Sequence, residues 1–249
     1  MGRPTRRRMG QNFLVDPTVA RRIVDLLAPI PDRVLEIGPG KGAVSGPLTE
    51  RFPRVLAVEL DEELVPALRE NFTMELVCGD ALKLDFDDLL ASEAPWQVAA
   101  NLPYSVGTAI LRRLLPRHDL IRRMVIMLQK EVIDRLLAEP AGRGHGYLAL
   151  LREAYADAWS AFEVPPGAFR PRPKVHSTVA VLDLHKPKFN QEKLEAALEL
   201  ASHALTRPRK TLIGALRPMA GVQDIRRAGL EPSLRPGMLD LGQWVELVS

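Results

Sequence analysis

Short apolar runs alternate with stretches of helical periodicity through most of the chain. The predicted strands are 33–37, 55–60, 75–78, 97–100 and 124–128, and the predicted helices are 43–52, 62–71, 108–115 and 130–139. Strands separated by helices of this length favour an α/β fold: a mostly parallel, doubly wound, Rossmann-like sheet with helices on both faces. Because ligands of such sheets bind at the carboxyl ends of the strands, residues at those ends are the first candidates for chemistry.

The pattern changes towards the end of the chain. Residues 177–184 alternate as a final strand, but no strand pattern follows Pro187. From Gln191 onwards, apolar residues recur at helical spacing. We therefore predict two domains: an α/β domain over residues 1–187, with a basic N-terminal arm, and a small all-helical domain over residues 188–249.

The segment Asn101-Leu102-Pro103-Tyr104 stands directly after the fourth predicted strand. The side-chain oxygen of Asn101 and the carbonyl of Leu102 can both accept hydrogen bonds from one planar amino group, and Pro103 fixes the backbone beside them. Tyr104 offers a flat face on which a base can stack. These properties suit the exocyclic amine of a nucleobase. The alternative is an ordinary Asn-Pro turn that leads into a helix.

Three acids mark the ends of the first three strands. Glu36 precedes a turn in which Gly38 and Gly40 let the backbone bend sharply. Glu59 stands where a ribose-binding carboxylate belongs in such folds. Asp80 has no expected role in a dehydrogenase, but its carboxylate can accept from the adenine amine of S-adenosylmethionine. Each acid alone also fits a helix cap or a turn, whereas together they suit a cationic sulfonium ligand better than a pyrophosphate.

Charge is distributed unevenly along the chain. The formal net charge is +3, yet residues 1–10 carry four Arg and no acid, and residues 188–249 carry nine basic and seven acidic residues. The segment between them is slightly acidic. Positive charge at both ends indicates an anionic polymer that is held from the periphery, although a solvated basic tail gives the same pattern.

The composition also limits the class of protein. A single Cys78 excludes an intramolecular disulfide and favours a reducing compartment, so we expect a cytoplasmic protein. Five His and one Cys show no metal-ligand spacing, and we predict no metal. No apolar run approaches the ~18 residues of a membrane span, and none follows the basic N-terminus as in a secretory signal.

The ordered motifs resemble those of the ribosomal RNA adenine dimethylases, and among them the type that acts on small-subunit rRNA. The matching segments are 10–14, the glycine turn, Glu59, Asp80, 101–104, 127–132, 164–169, Pro171, 173–175, Ser177, 209–212 and 235–236. The resemblance implies a class I methyltransferase fold with S-adenosyl-L-methionine as cofactor. It also implies two methyl transfers to N6 of each of two adjacent adenosines near the 3′ end of 16S rRNA during 30S biogenesis.

The resemblance, together with the glycine turn, assigns residues to a cofactor site. That site comprises Gln11, Asn12, Leu14, Glu36, Gly38, Gly40, Glu59, Leu60, Asp80, Ala81 and Asn101. The segment at residues 11–14 could instead be a plain helix entry, since Asp16-Pro17 fits an N-cap followed by a first-turn proline.

The catalytic and RNA-binding residues are assigned in the same way. The catalytic set is Asn101, Leu102, Pro103 and Tyr104, with Phe169 as the candidate for the second face of the target base. The alternative for Phe169 is a core position beneath its loop. The predicted RNA contacts are Arg6, Arg7, Arg8, Arg112, Arg113, Arg170, Arg172, Lys174, Arg209 and Lys210, although each could singly be a solvated charge. We expect a monomer that binds small-subunit rRNA within pre-30S particles.

The sequence departs from the family pattern at two positions and leaves rival interpretations open. Ser105 stands where many members have Asn, and Pro208 interrupts the usual basic run before Arg209. The rivals are a large-subunit rRNA dimethylase of the antibiotic-resistance type, a non-catalytic ribosome-assembly factor on the same fold and, more distantly, a dehydrogenase. Residues 209–212 favour the small-subunit type, and the intact Glu59, Asp80 and Asn101 argue against a non-catalytic factor.

Overall fold

A computed structural model of the chain describes residues 11–249. Its strands and helices, in chain order, are β1 (Phe13–Leu14), α1 (Pro17–Asp25), β2 (Arg33–Ile37), α2 (Ser45–Arg51), β3 (Arg54–Glu59), α3 (Val65–Asn71), β4 (Glu75–Cys78), α4 (Phe86–Leu90), β5 (Trp96–Asn101), α5 (Gly107–Leu114), β6 (Ile121–Gln129), α6 (Lys130–Leu136), α7 (Tyr147–Tyr155), β7 (Ala156–Val164), β8 (Phe169–Arg170), β9 (Ser177–Leu184), α8 (Gln191–Leu205), α9 (Leu212–Leu216), α10 (Val222–Arg227) and α11 (Leu241–Glu246). Among these described residues, none of the helices combines the length and the apolar character that crossing a bilayer would require. Arg6, Arg7 and Arg8, which we predicted to bind RNA, lie outside the described residues.

The central sheet has seven strands in the order β4-β3-β2-β5-β6-β9-β7. The neighbouring pairs among β4, β3, β2, β5 and β6 are all parallel, and β9 runs antiparallel to β6. The chain winds outwards from β2 to β4 and then returns to β5 on the other side of β2. This return creates a switch point between β2 and β5, which is where ligands of doubly wound sheets bind. The predicted α/β fold with a mostly parallel sheet is confirmed.

Apolar side chains on one face of the sheet pack against helices α1 and α2. The cluster includes Val34 and Val55 from the strands, Ile23 and Leu48 from the helices, and Phe169 from β8, all of them nearly inaccessible to solvent. The run 96–100, apolar except for Gln97, is buried throughout, as expected of a strand that is covered on both faces. Burial of this kind holds the strand ends, and the polar residues on them, in fixed positions.

A second, two-stranded pairing ties the N-terminal segment to a distant part of the chain. Strand β1 pairs antiparallel with β8, with Leu14 opposite Phe169, and the amide of Val15 donates to the carbonyl of Ala168 at 2.8 Å. Neither strand was predicted, because two residues are too few to show a period of two. The pairing fixes the segment that begins at Gln11.

The described chain groups into two compact units. The first contains the sheet, and the second combines residues 134–157 with residues 185–249. In the second unit α8 packs against α7, α9 and α11, and its core includes Leu194, Leu212 and Trp244. Helix α7 therefore groups with the C-terminal helices, whereas a boundary placed at Pro187 alone assigns it to the first domain.

The turn after β2 offers a stability test at Gly42. This residue has φ of +82°, and a Cβ atom built there would lie 2.2 Å from Cε2 of Phe72. Gly42→Ala is expected to lower the free energy of unfolding by about 2–4 kcal/mol, because alanine disfavours positive φ and the Phe72 ring must move. Gly167→Ala is the matched control, since no atom lies within 4 Å of its built Cβ. Urea denaturation that showed equal midpoints for the two variants would contradict this account.

Candidate functional site

One pocket opens at the carboxyl ends of the central strands, beside the switch point between β2 and β5. It is lined by the turn after β2, the ends of β3, β4 and β5, and the segment from Gln11 to Leu14. Every residue predicted for the cofactor lies on its wall: Gln11, Asn12, Leu14, Glu36, Gly38, Gly40, Glu59, Leu60, Asp80, Ala81 and Asn101. The structure thus brings together residues that are scattered over the first 101 positions of the sequence, while their binding roles stay predictions.

The glycine turn brings the backbone close to two neighbouring strands. Gly38 and Gly40 have φ of +70° and +59°, a region that side-chain-bearing residues rarely adopt. The amide of Gly38 donates to the carbonyl of Val58 at 2.9 Å, and a Cβ atom on Gly38 would lie 3.9 Å from the carbonyl oxygen of Asn101. At Gly38 and Gly40 the pocket wall therefore consists of backbone alone, close to both β3 and β5.

Glu59 is held by backbone amides on both of its oxygens. Oε2 accepts from the amide of Gly40 and Oε1 from the amide of Asp61, each at 2.9 Å, and the residue is almost fully buried. These two hydrogen bonds fix the rotamer of the carboxylate. Because each carboxylate oxygen has more than one lone pair, both can still accept from a pair of vicinal hydroxyls.

Asp80 and the loop after it are positioned by Arg113. Oδ1 of Asp80 accepts from the amide of Leu82 at 2.9 Å. The guanidinium of Arg113, on α5, donates to the carbonyls of Ala81 at 3.1 Å and Leu84 at 2.6 Å. We predicted that Arg113 contacts RNA, but the structure uses its guanidinium within the chain to hold the Asp80 loop.

Glu36 is a buried acid of the pocket, with 3% of its surface exposed. Its Oε2 accepts from the hydroxyl of Ser45 at 2.6 Å. Burial raises the pKa of Glu36 to about 7; the Ser45 hydrogen bond opposes this rise, and the nearby Glu59 charge adds to it. The carboxyl group of Glu36 therefore titrates near neutral pH.

The turn Asn101-Leu102-Pro103-Tyr104 is anchored on both sides. The amide of Leu102 donates to the carbonyl of Met127 at 3.1 Å, and the amide of Gly107 donates to the carbonyl of Pro103 at 2.8 Å. The hydroxyl of Tyr104 lies 2.7 Å from that of Ser177, a buried residue at the start of β9. These contacts fix the turn at the pocket wall and set the plane of the tyrosine ring.

The N-terminal wall of the pocket also serves as a helix entry. Asp16 caps α1 by accepting from the amides of Thr18 and Val19, at 2.9 Å and 3.3 Å. The preceding residues line the pocket, and the ring of Phe13 lies 3.1 Å from the position of a Cβ on Gly40. The two interpretations of this segment are therefore compatible. Phe13 itself was not predicted, because an apolar residue before a cap usually indicates core packing.

Phe169 does not line the pocket. Its side chain is 1% exposed and belongs to the core cluster beneath the β1–β8 pair. The core position that we considered as the alternative is the one that the structure shows. The prediction that its ring covers a base has no support from this arrangement.

The remaining predicted RNA-binding residues are exposed. Arg112, Arg170, Arg172 and Lys174 lie at the surface of the first unit, and Arg209 and Lys210 at the surface of the second. Arg170 also donates to the carbonyl of Phe169 at 2.8 Å. Pro208 follows the end of α8 at Leu205, so it does not interrupt a helix and leaves its basic neighbours exposed.

Comparison with known proteins defines the class. A family model described as "Ribosomal RNA adenine dimethylase" matches residues 2–244. Proteins named "Ribosomal RNA small subunit methyltransferase A" are similar over nearly the full length. The one from Acinetobacter baylyi is 41% identical, with 99% of this chain and 92% of the relative covered, and the one from Geobacter metallireducens is 41% identical, with 97% and 94% covered. The chain belongs to the ribosomal RNA adenine dimethylase family.

Solved structures support the fold. A dimethyladenosine transferase from Plasmodium falciparum superimposes with a TM-score of 0.74 at 21% identity and covers 94% of this chain and 95% of its own. The 23S rRNA methyltransferase ErmE gives a TM-score of 0.70 at 22% identity, with 95% and 98% covered. The class I methyltransferase fold that the resemblance implied is confirmed. The protein is an enzyme that uses S-adenosyl-L-methionine to methylate ribosomal RNA.

The charged and apolar residues on the pocket wall suit that cofactor. Its charged lining residues, within the part of the chain that the structure describes, are Glu36, Glu59 and Asp80 against Lys41. This negative balance suits a sulfonium cation and disfavours a pyrophosphate. Leu60, which lines the pocket and keeps 44% of its surface exposed, offers an apolar contact beside Glu59 for a flat base. The bound cofactor supplies an electrophilic methyl group.

Proposed function

We propose that the enzyme methylates N6 of two adjacent adenosines near the 3′ end of small-subunit rRNA, twice each, within pre-30S particles. It acts as a monomer in the cytoplasm. The observation that carries the adenine assignment is the anchored Asn101-Leu102-Pro103-Tyr104 turn on the wall of the acidic pocket. The similarity to the small-subunit methyltransferases supports the choice of RNA.

The chain's own residues contribute positioning rather than a strong base. The lone pair of adenine N6 is conjugated with the ring, so the amine is a poor nucleophile. Asn101 and the carbonyl of Leu102 accept the two N6 hydrogens and favour a more pyramidal nitrogen, whose lone pair then points into the pocket. The ring of Tyr104, held by Ser177, stacks on the base after it leaves its helix. The N6 proton leaves after transfer, to water.

The second transfer to the same nitrogen uses the site differently. After the first methylation only one N–H remains, so only one of the two acceptors is engaged. The neighbouring pocket wall, formed by apolar residues such as Val106 and Ile110, must then accommodate the first methyl group. We therefore expect the amine to be bound more weakly in the second step than in the first.

The proposal is tested by methylation of 30S particles from a strain that lacks these modifications. Purified enzyme and isotopically labelled S-adenosyl-L-methionine are incubated with the particles, and the label is mapped by primer extension. We expect up to four methyl groups per particle, all on two adjacent adenosines near the 3′ end of 16S rRNA.

Two other outcomes would replace this assignment. Label on large-subunit RNA in a parallel reaction with 50S particles or free 23S rRNA would assign the enzyme to the other branch of the family. Tight RNA binding without any incorporated label would indicate a non-catalytic assembly factor. Light scattering of the purified protein at micromolar concentration tests the monomer.

A further inference from the structure

Two buried acids, Glu36 and Glu59, line the cofactor pocket, but their hydrogen-bond partners differ in kind. Each carboxylate oxygen of Glu59 accepts from one backbone amide, a group that can only donate. Glu36 meets the hydroxyl of Ser45, which can donate to a carboxylate or accept from a carboxylic acid. The geometry therefore allows Glu36, unlike Glu59, to hold a proton without losing its partner.

Among the described residues, no cationic side chain forms an ion pair or a hydrogen bond with Glu36. Its cross-strand neighbours on β3 and β5 are Ala57 and Ala99, both fully buried. The other titratable groups on the pocket wall, among the described residues, are Glu59, Asp80, Lys41 and Tyr104. The exposed Lys41 is the one cation in that set, and its ammonium lies 5.1 Å from the centre of the Phe13 ring at the pocket edge.

We propose that Glu36 is a proton-linked specificity residue that distinguishes the methyl donor from the demethylated product. It holds a proton when the pocket is empty or contains the neutral thioether, and it releases that proton when the sulfonium cation binds. The sulfonium cation supplies the positive charge that Glu36 lacks among its hydrogen-bond partners, so the ionised carboxylate is stabilised in the donor complex. The exchange balances, because one proton leaves to solvent as one positive charge enters the site.

Discrimination between donor and product matters in the proposed reaction, because the enzyme transfers several methyl groups in succession. Donor and product share the adenosine and amino-acid groups, so most pocket contacts bind both equally. A residue that responds to the sulfonium charge alone favours exchange of product for fresh donor. The inference rests on the proposed function only through its methyl donor and not through the RNA target.

The direction of the pH dependence follows from the pKa of Glu36, which burial raises to about 7. Below pH 7 donor binding must first remove the proton, and above pH 7 the carboxylate is already ionised. The affinity ratio of donor to product is therefore expected to rise about tenfold between pH 6 and pH 8. The raised pKa also means that the empty protein loses stability as pH rises from 4.5 towards 7, since the unfolded state binds fewer protons there.

The experiment is calorimetric titration of the full chain with S-adenosyl-L-methionine and, separately, with S-adenosylhomocysteine. Titration at pH 7 in phosphate and in Tris, which differ in ionisation enthalpy, gives the number of protons released. We expect release of about half a proton with the donor and markedly less with the product. Equal release with both ligands, or none with the donor, would overturn the proposal.

Two variants assign the proton to Glu36. Glu36→Gln should abolish the difference in proton release between donor and product, and the ratio of their affinities should no longer change with pH. The same substitution should raise the melting temperature of the empty protein more at pH 8 than at pH 5. Ser45→Ala should move the midpoint of donor binding to higher pH, because the hydroxyl stabilises the carboxylate. The exposed Glu62→Gln is the control. Proton release that persists in Glu36→Gln refutes the role of Glu36, whatever RNA the enzyme is found to methylate.

Discussion

Asn101→Ala is expected to reduce methyl transfer to undermethylated 30S particles by about 10²–10³-fold, while the affinity for the particle stays within about twofold. The substitution removes one of the two acceptors for the N6 amine and leaves the other, the carbonyl of Leu102, in place. The backbone of the turn is held by the Leu102 amide and by Tyr104, so alanine should not displace it. Single-turnover kinetics measures the loss in the chemical step, and filter binding measures the particle affinity.

Asn71→Ala makes the same change on the exposed face of α3 and serves as the control. It should leave turnover unchanged. The effect on the two methylations should also differ: the first transfer, which uses both acceptors, should be slowed more than the second. An Asn101→Ala enzyme with normal turnover would refute the proposed amine geometry.

Glu59→Gln is expected to weaken binding of S-adenosyl-L-methionine by about 30- to 100-fold. The substitution removes a charge and places an amide NH₂ against one of two backbone donors, the amides of Gly40 and Asp61. The hydrogen bond between Gly40 and residue 59 is weakened or lost, although the Gly38 amide still holds the turn on the Val58 carbonyl of β3, so the substitution affects the pocket wall as well as its charge. Calorimetry or the shift in melting temperature at saturating cofactor measures the effect.

The neighbouring Glu62→Gln is the matched control, since Glu62 is exposed and absent from the pocket wall. It should bind cofactor as the unchanged protein does. The Glu59→Gln protein should lose affinity for the product as well, because the ribose is common to donor and product. A loss confined to the donor would instead assign to Glu59 the charge recognition that we infer for Glu36.

The sequence predicts the carboxyl ends of the strands well, because buried apolar residues and the polar residues of the candidate site stand next to each other there. The bounds of β2, β4 and β9 match the predicted segments, and the acids at the carboxyl ends of β2, β3 and β4 line one pocket as expected. Continuous apolar runs identify strands that are covered on both faces, and polar residues directly after them mark the ligand edge. Strand β7 was not predicted. It lies at the edge of the sheet and several of its residues are exposed, so its sequence lacks the apolar pattern of a buried strand.

The sequence could not predict features that depend on distant partners. Phe169 is buried because Leu14 pairs with it across the β1–β8 ladder, and nothing local to either residue indicates that pairing. Arg113 counts as a surface charge by composition, but two backbone carbonyls of another loop engage its guanidinium. The difference between Glu36 and Glu59 likewise depends on which donors fold against them.

The pairing of β1 with β8 also governs when the pocket can first exist during synthesis. A nascent chain that has emerged only as far as β6 already contains every acid and the turn at Asn101, yet the strand that holds its N-terminal wall has not been made. The segment at Gln11 can take its place only after Phe169 has left the ribosome. We therefore expect cofactor capture to be delayed until β8 is available. A truncated product that ends before β8 would carry the residues of the site without its closed form.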